Sequence, residues 1–207
     1  MKRMIVEKQS VPKTLKGIVL LRRQKKDNPM GDIGLLIFRL TIGGLLAGHG
    51  SQILFKWFGG SGLKGTAQML ESMELRPGIP WATAAAASQF GGGVLTGLGL
   101  LHPLGPIGTM GGMVVAIVKA HWGKPIWANR GGAELPITYL AMALGLICTG
   151  PGRFSLDRLF GIRLPRALVV TIASVEAALV LNSLKPRPTP APIVPVEHPT
   201  PEAVTGD

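Results

Sequence analysis

His49, Gln52 and Lys56 recur at intervals of three and four residues within a run that is otherwise almost wholly apolar. On a helix turning about 100° per residue they fall inside an arc of roughly 60°, on one face. Imidazole, carboxamide and ammonium groups together offer several hydrogen-bond donors, and the imidazole exchanges a proton near neutral pH. Such a face could hold a polar headgroup and assist proton transfer to it. It would serve equally for hydrogen bonds between helices, with the lysine reaching out to an interface. Arg39 lies on a neighbouring stripe with Gly43 and Gly50, where a second helix could approach closely. A cation that deep needs a counter-charge or carbonyl groups. Glu134 and Glu176 are the acids within or at the ends of the later apolar runs, so either could pair with it. Gln89 is the one strongly polar residue of a further run, WATAAAASQFGGGVLTGLGLL.

The elements that must position these residues are membrane helices. About 20 apolar residues in a helix cover the roughly 30 Å hydrocarbon core, and residues 32–60 supply such a span. Hydrophobic residues make up 46% of the chain, and its mean hydropathy is +0.34 although both ends are polar. The apolar residues are therefore gathered in blocks. With 29 glycines and 5% aromatics, close helix packing in lipid accounts for the composition better than a water-soluble core. The expected fold is an all-α polytopic membrane helix bundle with four core transmembrane helices, near residues 33–58, 81–101, 104–120 and 134–149. A fifth candidate, 167–181, either spans or lies at the interface. Trp57 and Phe58 close the first span as interface markers, and an amphipathic loop helix is expected before Pro80. Gly93-x-x-x-Gly97 and Gly108-x-x-x-Gly112 are candidate packing motifs.

Charge orients the bundle. Lys and Arg total 22 against 11 acids, a net +11, and residues 1–32 hold nine of the basic residues with three acids. A nucleic-acid surface would place such charge on a folded module with stacking aromatics. Here it directly precedes a hydrophobic span, as does the basic character of the 153–166 loop on the far side of the fourth. Both place their side in the cytoplasm. The chain then divides into a basic cytoplasmic arm (1–31), the transmembrane bundle (32–160), a basic loop with the fifth helix (161–184), and a proline-rich tail (185–207). Seven prolines in that tail predict an extended, disordered segment. No signal peptide is recognisable, so the first span itself is expected to direct insertion. Cys148 stands alone, which excludes an intrachain disulfide and a CxxC site. The four histidines lack metal or bis-haem spacing, so neither metal nor haem is expected. The Gly91–Gly93 run lies mid-span with no strand before it and does not read as a phosphate loop.

The order of several short segments resembles the DoxX family of small bacterial membrane proteins. They are His49-Gly50-Ser51-Gln52 leading through Phe55-Lys56-Trp57-Phe58 to Gly59-Gly60, then Gly62-Leu63-x-Gly65-Thr66-Ala67. Gln89-Phe90-Gly91-Gly92-Gly93 and the turn at 98–104 follow. Gly131-Gly132-Ala133-Glu134 and Gly150-Pro151-Gly152-Arg153-Phe154-Ser155-Leu156-Asp157 complete the set. Two positions depart from the family pattern: Ile53 stands where a lysine is common, and Gln89 where a glutamate is common.

The resemblance implies a bacterial inner-membrane protein. It points to a membrane subunit of a quinone-linked sulfur, thiol or oxidative-stress redox system, of the thiosulfate:quinone oxidoreductase kind. On that reading His49, Gln52 and Lys56 contact the quinone headgroup and Glu134 assists proton exchange. Arg39 and Gln89 are structural polar residues, and Arg153 and Asp157 meet a partner or pair with one another as a helix cap. Expected partners are the lipid bilayer and another redox subunit or a second copy of the chain, but no nucleic acid. The alternative is a non-catalytic adaptor that holds partner proteins through its basic arm, basic loop or tail. A solute pathway is a third reading, poorly served by so few polar residues.

Overall fold

The structure, a computed structural model, describes residues 29–185; all but the last three residues of the basic arm and nearly all of the proline-rich tail lie outside them. Every regular element among the described residues is helical. Helix α1 (Pro29–Leu54) carries Asp32 in its first turn. Proline fits a first helical position because its missing N–H has no partner to lose there, and an acid in that turn complements the helix dipole. The helix stops four residues short of the expected Phe58. Lys56 (φ 59°), Phe58 (φ 52°) and Gly59 (φ 76°) all take left-handed backbone, so the chain leaves the helix axis and forms a short 3-10 turn at Trp57–Gly59.

Helix α2 (Gly62–Ser72) is the amphipathic loop helix, burying Thr66 and Ala67. The second crossing is a composite rod: α3 (Gly78–Ala86), a π-helical turn (Ala87–Gly91) and α4 (Gly92–Leu98). Gly99 (φ 60°) ends it. Helix α5 (Leu104–Val115) runs into a second π segment (Ala116–His121). Helix α6 (Glu134–Thr149) follows, then the short α7 (Leu156–Phe160) and the last helix, α8 (Arg166–Leu184).

Among the described residues three helical stretches are long and apolar enough to cross a membrane: Pro29–Leu54, Leu104–His121 and Arg166–Leu184. The α3–α4 rod covers residues 78–98, and α6 is a shorter apolar helix of 16 residues. The fifth candidate therefore is a full-length helix, longer at both ends than residues 167–181. Only 6% of its apolar window is buried, as expected of a helix whose remaining surface faces lipid.

Glycine sets the closest contact. A Cβ on Gly43 would lie 2.4 Å from the Gly97 nitrogen, and one on Gly93 would lie 2.5 Å from the Ala47 nitrogen. Helices α1 and α4 thus touch backbone to backbone along the Gly93-x-x-x-Gly97 motif. The second motif behaves differently. Gly108 meets nothing within 4 Å, and the tight positions on α5 are Gly105 against Thr96 and Gly111 against Glu176. Between α1, α5 and α6 the core is Ile42, Leu46, Met113 and Leu146, with Phe38 and Tyr139 packed on it.

Candidate functional site

One turn of α1 brings His49 and Gln52 together, with Nδ1 of the imidazole 3.3 Å from Oε1 of the carboxamide. With the Gln52 oxygen accepting, the proton sits on Nδ1 and Nε2 keeps its lone pair. His49 is exposed and Gln52 half-buried. Tyr139 of α6 meets the His49 ring edge-on, with centroids 6.5 Å apart and planes at 88°, an arrangement aromatic quadrupoles favour. Two helices thus bring an imidazole, a carboxamide and a phenol together, with the imidazole exposed and the other two half-buried. Tyr139 was missed at the level of sequence, although it is the chain's single tyrosine.

Lys56 does not share that face. It lies beyond the helix end with left-handed backbone. Its side chain covers Gly62, where an added Cβ would meet Lys56 Cε at 2.6 Å. The helical spacing that united it with His49 and Gln52 fails because α1 ends at Leu54.

Glu134 stands at the start of α6 and braces the loop before it. Its Oε2 accepts from the Ala128 N–H at 2.8 Å, and its own N–H donates to the Ile126 carbonyl at 2.9 Å. His121 ties the same loop through Nδ1, which donates to the Gly131 carbonyl at 2.7 Å. Among the described residues no hydrogen bond joins Glu134 to His49 or Gln52. Gln89 sits half-buried in the first π segment, next to Phe90, whose ring meets Phe55 edge-on at 5.5 Å.

Near the middle of α1, Arg39 is 3% exposed. Its guanidinium donates to the carbonyl of Pro151 and, at 2.7 Å, to that of Phe154. Carbonyls rather than Glu134 or Glu176 take its Nη1 and Nη2 donors, while its Nε has no hydrogen-bond partner among the described residues. Glu176 instead accepts from the Gly111 N–H at 2.7 Å, which locks α8 onto α5. The glycines of the 150–157 block make the carbonyl cradle possible, since Gly150 (φ 86°) and Gly152 (φ 74°) both need left-handed backbone.

Asp157 completes this end from inside. It is 6% exposed. Oδ1 accepts from Leu101 N–H at 2.8 Å and Oδ2 from His102 N–H at 2.7 Å. Both carboxylate oxygens are therefore engaged in holding the turn between α4 and α5, and Asp157 is not a surface residue open to a partner. Nor does it pair with Arg153. Arg153 Nε lies 3.9 Å from Asp32 Oδ2 instead, with its side chain largely in the open, so the cap is not an ion pair. Ser155 caps α7, its Oγ accepting from Arg158 N–H at 3.2 Å. His102, within this cluster, has its pKa lowered because burial disfavours the imidazolium, with Asp157 pulling it back upward.

Residues 34–122 match the DoxX family model. This segment is a DoxX domain. The match includes His49, Gln52 and Arg39 but ends before Glu134 and the 150–157 block. That block is nevertheless fastened to the DoxX domain through Arg39 and Asp157. No curated protein and no solved structure matches the chain. Among the described residues there is no group of three or more His, Cys, Asp or Glu that could hold a metal ion.

Proposed function

We propose that this DoxX-domain membrane protein is a subunit of a quinone-linked redox system acting on sulfur or thiol compounds or in oxidative stress. The observation that carries the reading is the His49–Gln52 pair with Tyr139 beside it, an exposed imidazole with two half-buried polar neighbours on otherwise apolar helices. A ligand arriving through lipid would meet this face without crossing the bundle. The donor set fits a quinone headgroup. The Gln52 amide N–H groups and the Tyr139 hydroxyl can donate to carbonyl oxygens, and His49 Nε2 can take up and return a proton. A bound quinone would supply the electron-accepting chemistry that these side chains lack. Lys56 and Glu134 act at a remove, bracing the loops that flank the site. The arginine-bearing end, with Arg153, Arg158, Arg163 and Arg166 exposed, fits the cytoplasmic side of a bacterial inner membrane.

The test is to extract purified, detergent-solubilised protein and analyse the extract for quinones by absorbance and mass. One quinone per chain, lost in His49→Ala without loss of helical content, supports the reading. An empty extract from folded protein that takes up no added quinone overturns it. A second reading, a non-catalytic adaptor, is favoured by the same four exposed arginines. It predicts no quinone, and release of partner proteins when those arginines are neutralised.

A further inference from the structure

A groove of about 670 Å³ opens at the arginine end, between α1, α4 and the 153–159 segment. Its size lies within the roughly 300–1,000 Å³ typical of ligand clefts. The two helices line it with Leu36, Leu40 and Leu98, while the segment closes it with Phe154, Arg153 and Arg158. Arg39 lines it too, with Nη1 and Nη2 donating to neutral carbonyls and Nε without a hydrogen-bond partner among the described residues.

The acids nearby leave this end cationic. Asp32 offsets Arg153 only loosely at 3.9 Å. Asp157 offsets Arg39 but points both oxygens at backbone N–H groups. Arg158 is exposed, and its guanidinium has no partner among the described residues. From Asp32, level with the arginines, to Leu40 the helix rises about 12 Å. The groove thus passes from headgroup depth into acyl-chain depth with charge at one end and leucine along its length.

We propose that this groove binds an anionic phospholipid from the surrounding leaflet. Arg153 and Arg158 hold the phosphate, and one acyl chain lies along Leu36, Leu40 and Leu98. Charge complementarity selects the occupant. A neutral lipid would leave the two arginines unmatched, and a free phosphate would leave the leucines uncovered. Arginine suits the role because its planar fork meets phosphate oxygens in pairs. The site is separate from the His49–Gln52 pair and does not depend on the redox reading.

The full chain in mild detergent would be titrated with phosphatidylglycerol, with phosphatidylcholine of the same chains, and with inorganic phosphate, and bound species counted by native mass spectrometry. Wild type is expected to retain one phosphatidylglycerol about tenfold or more tighter than phosphatidylcholine, because two arginines meet the anionic headgroup. Arg153→Gln/Arg158→Gln should lose that preference, and Arg158→Gln alone should lose part of it. Millimolar phosphate should not displace the lipid. Equal retention of the two lipids by wild type overturns the proposal, as does an unchanged preference in the double variant. Displacement by inorganic phosphate overturns it too, marking a simple anion site. Melting is followed throughout. If the double variant melts early, Arg158→Gln and the wild-type competition still decide.

Discussion

Arg39 donates to the carbonyl oxygen of Phe154 at 2.7 Å, across 115 positions of the chain. With its second bond, to Pro151, this side chain nails the loop after α6 to the middle of α1. A buried cation whose hydrogen bonds go to carbonyls cannot be removed without orphaning those oxygens. Arg39→Ala is expected to destabilise the protein by about 3 kcal/mol, the scale of two lost hydrogen bonds from a charged group. Arg39→Lys should recover less than half, because an ammonium is a point donor and does not fork across two carbonyls. Thermal unfolding in detergent reads the loss. Hydrogen exchange should show residues 150–157 opening first.

Asp157 holds the other side of the same junction through two backbone N–H groups. Asp157→Asn keeps one acceptor oxygen and turns an NH₂ group toward a donor. The expected cost is about 1.5–3 kcal/mol, the scale of a hydrogen bond to a charged group. The same variant should leave any partner binding at exposed Arg153 and Arg158 intact once the protein is folded, which pull-down with a captured partner would check.

His102 gives this junction a pH response. Burial lowers its folded pKa below the ordinary 6.5, so the unfolded chain binds the proton more readily. Stability from this residue is then fully present above about pH 6.5 and declines as pH falls through the window below it. Melting temperature measured from pH 8 to pH 5 should drop at the acid end. His102→Gln should flatten that part of the profile, and an unchanged profile would rule out His102 as its source.

The α1–α4 contact predicts a paired outcome on adjacent residues. Gly43→Ala places a methyl 2.4 Å from the Gly97 nitrogen, so the helices must separate, at about 1–3 kcal/mol. Gly44→Ala meets nothing within 4 Å and should be neutral or slightly stabilising through helix propensity. Melting of the two variants side by side checks both signs.

The helices and the Gly93-x-x-x-Gly97 contact were legible because apolar length and small-residue spacing are properties of contiguous sequence. The partner of Arg39 was not. A carbonyl cradle carries no side-chain signature, so the search for an acid pointed to Glu134 and Glu176. Asp157 misled for a related reason: four residues after Arg153 it looks like half of an ion pair, yet both its oxygens accept from the Leu101 and His102 N–H groups while Arg153 turns to Asp32. Lys56 was placed by a helical period that stops two residues earlier. Left-handed backbone at Lys56 and Phe58 is a choice neither residue type advertises. The π segments at Ala87–Gly91 and Ala116–His121 are likewise silent in a hydropathy pattern.

The site built on His49 separates Tyr139 from Lys56 by experiment. If the quinone reading is right, Tyr139→Phe keeps the ring edge that steadies His49 and removes only the hydroxyl donor. Loss of one hydrogen bond of about 0.5–1.5 kcal/mol should loosen quinone retention by roughly two- to twelvefold. Lys56→Met should leave retention unchanged, because that side chain lies over Gly62 beyond the helix end. His49→Ala removes the proton-exchanging group and should lower retention further than Tyr139→Phe. Equilibrium binding of a short-chain quinone, followed by absorbance, ranks the three. A ranking in which Lys56→Met loses most would return the site to the loop after α1 and away from the face shared with α6.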